Sequence, residues 1–241
     1  MNLRNLFRRN TFEHGVHPAE HKELTCGLPI RRLPFAPQLI MPLSQHAGAP
    51  AVALVKPGQE VVRGEPIARA DGFVSVPMHA PATGLVEAIE LMPSARGPKT
   101  PSVVLHVYEG STQEVLYGAE RDVGRMTPEE ILQAVQDSGM VGLGGAAFPT
   151  HVKMKPPPEH TVDTLVVNGC ECEPYLTCDH RLMLEQTGHL LAGIGIVMRA
   201  LGVDRCMIGV ENNKPDAVAA IAARLPGDGR ISVHAVQTKY P

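Results

Sequence analysis

The spacing of apolar and polar positions changes twice along the chain. Residues 1–34 carry little periodicity. Between 35 and 110, short β-prone runs alternate with turn residues: AVALVKPGQEVVRGEPIARA, VSVPMHAPATGLVEAIEL and PSVVLHVYE, broken at Pro-Gly and Arg-Gly pairs. Short strands punctuated this often predict a small sandwich or barrel. From residue 120 the spacing lengthens. MTPEEILQAVQDSG predicts a helix, with Thr127 as its cap, Pro128 in the first turn, Glu129 and Glu130 at the positive end and Gly139 as the stop. TVDTLVVN then reads as a buried strand, Arg181 to Leu201 as a helix and RCMIGV as a second strand. Pro215 to Leu225 reads as a helix and ISVHAVQ as a third strand. The order β-α-β-α-β predicts a parallel sheet with crossover helices. The expected organisation is an N-terminal extension over 1–34, a small all-β domain over 35–112 and an α/β domain over 120–241.

Composition narrows the class of function. The 241 residues are 44% hydrophobic, enough for a buried core. Net charge is −3, and Arg4, Arg8 and Arg9 form the only basic cluster. Phosphate backbones need clustered cations, so no nucleic-acid partner is expected. Aromatic residues make up 4% with no tryptophan, which argues against base stacking. The apolar run Leu190–Met198, interrupted by Gly193 and Gly195, is about half of the ~20 residues a membrane span needs. Neither a span nor a signal peptide is predicted. The five cysteines are expected to be reduced. His14, His17 and His21 lie close together without cysteine partners, and Cys170, Cys172 and Cys178 fit neither zinc nor ferredoxin spacing. No metal is expected at either place.

Two stretches carry candidate chemistry. Parallel sheets bind ligands outside the carboxyl ends of their strands. Asn168, Glu171 and Glu173 follow the first strand, Glu211 and Asn212 the second, and Lys239 the third. All are predicted to share one edge. The second stretch is GLGGAAFPTHVKM, Gly142 to Met154. Gly142, Gly144 and Gly145 can adopt positive φ, and their bare backbone leaves N–H groups free to face an anion. Pro149 suits the first turn of a following helix, and Lys153 adds a charge about one turn on. This is neither a Walker motif nor the dinucleotide fingerprint. A plain helix-to-helix turn is the competing reading.

Resemblances sharpen both halves. Val55-Lys56-Pro57-Gly58, Gly64-Glu65-Pro66-Ile67 and Ala80-Pro81-Ala82-Thr83-Gly84 resemble the barrel-sandwich fold of biotinyl and lipoyl carrier domains. A carrier needs a lysine at its hairpin tip, and Ala70-Asp71-Gly72-Phe73-Val74 has none, so a structural or docking module is expected. Gly142 to Thr150, Lys153, Asn168-Gly169-Cys170-Glu171-Cys172-Glu173-Pro174 and Asp179-His180-Arg181 resemble the flavin-binding region of the NADH-oxidising subunit of respiratory complex I. They resemble the C subunit of Rnf ion-translocating electron-transport complexes more closely. That match extends to Gly15-Val16-His17-Pro18 and Gln237-Thr238-Lys239-Tyr240-Pro241.

The Rnf resemblance implies a Rossmann-like parallel-sheet domain that holds FMN and accepts hydride from NADH. Gly142, Gly144, Gly145 and Ala146 would line the flavin, Phe148 and Lys153 would flank it, and Asn168 would hydrogen-bond it. Glu171 and Glu173 would position the nicotinamide nucleotide, beside Glu211 and Asn212 on the same edge. The flavin itself would carry out hydride transfer, with no catalytic side chain. The resemblance further implies other members of the complex and a ferredoxin-type acceptor as partners, and a peripheral place on the cytoplasmic face of a bacterial inner membrane. The 4Fe–4S clusters are expected only in the part of the family protein beyond this chain, and the α/β domain is expected to be truncated. Leu143 stands where complex I has an arginine and Cys170 where it has an acidic residue. These favour the alternative, a scaffold or docking subunit that does not bind flavin.

Overall fold

A computed structural model describes residues 15–95 and 97–240. Arg4, Arg8, Arg9 and His14 lie outside the described residues. Two compact units emerge, Leu33–Glu159 and His160–Pro241 together with the leading segment up to Arg32. The expected division ran at 34 and 112–120. The residues from 120 to 159 instead group with the all-β unit, and the leading segment groups with the parallel sheet.

The first unit opens with seven strands: β1 (Gln38–Pro42), β2 (Val52–Ala53), β3 (Glu60–Val61), β4 (Pro66–Arg69), β5 (Met78–His79), β6 (Gly84–Pro93) and β7 (Lys99–Val107). They form one sheet in the order β1-β7-β6-β3 and another in the order β2-β4-β5. The long pair β6–β7 is antiparallel, with a register shift between Val86 and Ala88. Ile67, Ala68, Ala82, Val86, Val103 and Leu105 meet in its core, each essentially sealed from solvent. Burying a side chain such as Ile67 or Leu105 contributes roughly 1.5–3 kcal/mol, so these positions hold the small strands together.

Helix α1 (Pro128–Asp137) follows, then the short strands β8 (Val141–Gly142) and β9 (Phe148–Pro149) and the single turn α2 (Thr150–Lys153). Thr127 and Glu130 close a reciprocal capping box at the start of α1: the Glu130 N–H donates to Thr127 Oγ1 at 3.2 Å, and the Thr127 N–H donates to Glu130 Oε2 at 2.7 Å. β8 and β9 pair antiparallel, so the glycine stretch is a hairpin rather than a helix-to-helix turn.

The second unit contains β10 (Thr164–Gly169), α3 (Cys178–Glu185), α4 (Thr187–Leu201), β11 (Arg205–Glu211), α5 (Pro215–Ala222) and β12 (Ile231–Val236). Its strands pair parallel in the order β10-β11-β12. Alternate residues Cys206, Ile208 and Val210 of β11 face one side of the sheet, where Met183, Ile194, Met198, Ala217 and Ile221 cover them. The pairs Ile194/Met198 and Ala217/Ile221 recur at four residues, the spacing that puts both members on one helix face. On the opposite face, Val166 and its register partner Met207 are exposed.

The single helix expected over Arg181–Leu201 is two. Gln186 leaves helical geometry at φ −125°, and the Thr187 hydroxyl donates back to the Met183 carbonyl at 2.5 Å. A hydroxyl bonded to the preceding turn competes with the helical ladder and bends the chain there.

Candidate functional site

The carboxyl ends of β10, β11 and β12 share an edge because the strands run parallel in register from Asn168↔Gly209 to Glu211↔Val236. Each predicted residue on this edge has a definite place. Asn168 is exposed, and its Oδ1 accepts from the Cys170 N–H at 3.0 Å. Glu171 is 2% exposed. Its carboxylate accepts from the Asp179 N–H at 2.7 Å, the His180 N–H at 3.4 Å and the Cys178 thiol at 3.3 Å. It therefore caps α3, where a negative charge meets the positive helix end. Glu173 is exposed. Glu211 is 3% exposed and accepts from Lys214 Nζ, itself 2% exposed, in a tight buried ion pair. Asn212 Oδ1 accepts from the Thr238 N–H at 3.2 Å and hydroxyl at 3.0 Å, tying the second loop to the third. The Lys239 side chain lies against Gly15.

A segment that sequence periodicity left blank completes this edge. Val16 pairs with Tyr240 in an antiparallel bridge, and the Tyr240 hydroxyl donates to the Cys172 carbonyl at 2.7 Å. At Gly15, φ is +153°, and an added Cβ would sit 2.6 Å from the Tyr240 carbonyl oxygen. That accounts for the glycine of the Gly-Val-His-Pro motif. Lys22 is buried, and its ammonium donates to the carbonyls of Glu171, Glu173 and Leu176 at 2.7, 3.0 and 2.7 Å. The Glu171 carboxylate stands 3.8 Å from it. Sequence reading missed Lys22, because a lone lysine in an aperiodic stretch carries no signal of burial.

The glycine stretch lies in the other unit. Gly144, Gly145, Ala146 and Leu143 are exposed at the hairpin tip. The expectation of positive φ at the glycines is corrected. The left-handed residue is Ala147, at φ +52°, and none of Gly142, Gly144 and Gly145 is left-handed. The hairpin reverses over enough residues that its bend falls elsewhere, and glycine supplies bareness instead. A Cβ at Gly144 or Gly145 would meet nothing within 4 Å, so their backbone is open. At Gly142 a Cβ would lie 2.8 Å from Lys153 Nζ. The lysine therefore folds back over Gly142, where a side chain would collide with its ammonium. Phe148 is partly exposed beside them. The helix expected after Pro149 is only the turn Thr150–Lys153, too short to contribute much dipole, so charge at this hairpin comes from Lys153. Val141, Leu143 and Ala147 also wall a cavity of about 480 Å³ with Met41, His46 and His79.

In the same unit, the loop where a carrier domain would display its lysine is pinned down. His151 Nε2 lies 2.7 Å from the Phe73 carbonyl, and the two rings meet edge to face at 5.3 Å. Lys155 Nζ lies 5.1 Å from the Phe73 ring centre, and the Gln136 amide donates to the Ser75 carbonyl at 3.3 Å. A swinging carrier arm needs a free tip; this tip is packed against His151, Lys155 and Gln136.

Titration on the sheet edge follows from its burial and acidity. Partial burial pushes the Cys170 and Cys172 thiols above their ordinary value, and the Glu211 carboxylate adds to the shift in both. Burial and the hydrogen bond to Glu171 do the same for Cys178. Burial, then repulsion from Glu171, raises Asp179. Glu171, Cys178 and Asp179 converge closely enough to hold a cation, but the Glu171 oxygens already accept main-chain and thiol hydrogens. A raised thiol pKa means less thiolate at neutral pH. Iodoacetamide is therefore expected to label Cys170, Cys172 and Cys178 slowly at pH 7.5, with rates climbing only above the usual thiol range. Peptide mass mapping against pH checks this; rapid labelling at neutral pH would contradict it.

Comparison with known proteins divides the chain between residues 109 and 135, rather than at 32 and 159 where the two compact units meet. Residues 10–109 match the family model described as the RnfC barrel sandwich hybrid domain, and residues 135–241 match the Nuo51 FMN-binding domain. The chain is 41% identical over 237 residues to the C subunit of the Na+-translocating ferredoxin:NAD+ oxidoreductase complex of Acetobacterium woodii, covering 97% of this chain and 53% of that protein. It is 38% identical over 233 residues to the C subunit of the proton-translocating ferredoxin:NAD+ oxidoreductase complex of Clostridium ljungdahlii, covering 96% and 50%. The chain thus spans about half the length of these relatives. Among solved structures, an air-oxidised NAD+-reducing NiFe hydrogenase aligns with 47% of this chain and 21% of its own, at 28% identity and a TM-score of 0.39.

A barrel sandwich hybrid domain joined to an FMN-binding domain defines the class, and the relatives that share it are named as C subunits of ferredoxin:NAD+ oxidoreductase complexes. The chain corresponds to the amino-terminal portion of RnfC, the C subunit for which these relatives are named.

Proposed function

We propose that this chain is the FMN- and NADH-handling portion of an ion-translocating NADH:ferredoxin-type oxidoreductase. The observation that carries the reading is the hairpin of the matched FMN-binding region, where open glycine backbone, an exposed aromatic ring and a folded-back ammonium stand together. This donor set suits a flavin phosphate and ring system. When bound, FMN supplies hydride acceptance from NADH and one-electron release to iron–sulfur clusters.

The protein's own residues bind and orient. Gly142, Gly144, Gly145 and Ala146 offer backbone, Lys153 offers charge and Phe148 offers a ring face. Asn168 keeps its amide nitrogen for the flavin, because among the described residues only its Oδ1 is engaged, by Cys170. Glu173 is the exposed carboxylate for the nicotinamide nucleotide. Glu171, Glu211 and Asn212 act through the loops they hold, since each is committed to an internal partner. Among the described residues no helix is long and apolar enough to cross a membrane. We place the protein peripherally on the cytoplasmic face of the inner membrane, with other members of the complex and a ferredoxin-type acceptor as partners.

Titration with FMN, followed by flavin fluorescence, tests the reading. Saturable binding is expected. A charge-assisted hydrogen bond is worth about 1.5–3 kcal/mol, so Lys153→Ala is expected to weaken binding roughly ten- to hundredfold. Gly142→Ala is expected to weaken it as well, because the new methyl displaces the Lys153 ammonium while the flexible side chain yields with little loss of stability. Absence of binding would favour the scaffold or docking reading. Binding indifferent to both substitutions would move the flavin away from this hairpin.

A further inference from the structure

The leading segment supplies a heavily bonded cation of the sheet edge. Lys22 reaches the carbonyls of Glu171, Glu173 and Leu176 at 2.7, 3.0 and 2.7 Å. An ammonium has three donors, and here each finds its own acceptor. Three carbonyls from one six-residue stretch can point at a single atom only if the chain curls around it. The curl places Tyr175, a non-glycine residue, at φ +68°. Such a conformation is costly and persists only where the surroundings over-determine it.

The surroundings come from the same segment. The Tyr175 N–H donates to the Glu20 carbonyl at 2.8 Å, and its ring stacks on His21 with centroids 5.0 Å apart. Thr177 Oγ1 donates to Thr25 Oγ1 at 2.8 Å, and Arg181 donates to the Cys26 carbonyl at 3.0 Å. The Glu20 carboxylate accepts from Asn213 at 3.0 Å, so the same strap also reaches the loop after β11. The charge of Lys22 is answered by Glu171, whose oxygens cap α3. One cation thus links the strap, the loop and the first turn of a helix.

We propose that Lys22 is a positioning residue, holding the loop from Cys170 to Leu176 in the shape that presents Glu173 to the nicotinamide nucleotide. This rests on the proposed function for the identity of the nucleotide. It does not rest on that function for the loop. Lys22 acts through three main-chain oxygens. Arginine cannot take over fully, because a planar fork does not match three carbonyls converging on a point.

The test compares the full chain with Lys22→Met, Lys22→Arg and the control Arg224→Ala. The control removes a hydrogen bond to Thr187 elsewhere in the same unit. Amide hydrogen exchange reads the loop, and parallel titrations with NADH and FMN read the ligands. Lys22→Met is expected to speed exchange across residues 172–176 at least tenfold and to raise the NADH Kd at least tenfold. The FMN Kd is expected to stay within twofold, a split that general loss of stability would not produce. Lys22→Arg is expected to fall between, and Arg224→Ala to leave loop exchange and NADH binding unchanged. Unaltered loop exchange in Lys22→Met overturns the proposal, as does NADH binding that survives a loosened loop. If the unsubstituted chain binds no NADH, the proposed function fails and the nucleotide role of Lys22 with it. The exchange data then still decide whether Lys22 shapes the loop.

Discussion

Glu211→Ala is expected to lower the free energy of unfolding by about 3–5 kcal/mol. Glu211 and Lys214 are 3% and 2% exposed, and each is the other's charged partner. Once the carboxylate is gone, the Lys214 ammonium remains buried with the Asn213 side-chain oxygen, at 3.1 Å, as its remaining acceptor. Removing one member of a buried pair costs far more than the pair is worth, because the survivor keeps its desolvation penalty without its compensation. Glu211→Met combined with Lys214→Met is therefore expected to recover most of the loss, and the cycle of single and double variants measures the coupling. Urea denaturation followed by circular dichroism is the check. A loss within about 0.5 kcal/mol, the range of ordinary surface substitutions, would mean the pair is not desolvated as described. A second readout should move with the first. Glu211 contributes to the raised values of Cys170, Cys172 and Tyr240, so its removal is expected to bring both thiols nearer their ordinary range and speed their alkylation.

Glu171→Ala is expected to cost about 3 kcal/mol, combining a lost helix cap with a lost counter-charge for Lys22. The carboxylate accepts from two main-chain N–H groups at the start of α3 and stands 3.8 Å from the ammonium. Glu171→Gln keeps an oxygen for the Asp179 N–H and is expected to lose less. Glu173 gives the opposite pattern. It is exposed, so Glu173→Gln is expected to stay within about 0.5 kcal/mol of the parent while weakening NADH binding. Denaturation curves and NADH titrations on the same preparations separate the two glutamates. A Glu171→Ala chain as stable as the parent would show that its burial does no structural work.

Much of this architecture was legible in the chain. The cap, proline and stop around α1 are local signals, and each has the predicted partner or geometry in the structure: Thr127 with Glu130, Pro128 in the first turn and Gly139 at φ +73°. The three parallel strands stand out as short apolar runs, but only the central β11 carries buried residues; β10, read as a buried strand, lies at the sheet edge with Val166 exposed. The edge shared by Asn168, Glu171, Glu211 and Asn212 followed from strand order alone. What failed was finer. The break at Gln186 depends on one hydroxyl turning back to Met183, which no periodicity reveals. The glycines could have adopted positive φ, but permission is not use, and the left-handed residue is Ala147.

The order of residues by itself determined the β-rich first part, the β-α-β-α-β second part, the motifs at the strand ends and the glycine hairpin's bareness. These depend on neighbours a few positions apart, where propensity and pattern act. Only the tertiary structure decided which acidic residues stay available. Glu171 and Glu173 are two positions apart in one motif, yet one is sealed against α3 and the other faces solvent. Lys22 reaches carbonyls about 150 positions away, and Glu211 is neutralised by a lysine whose burial comes from packing. Burial and charge pairing are properties of distant surfaces brought together, and they turn a row of similar carboxylates into groups with separate work.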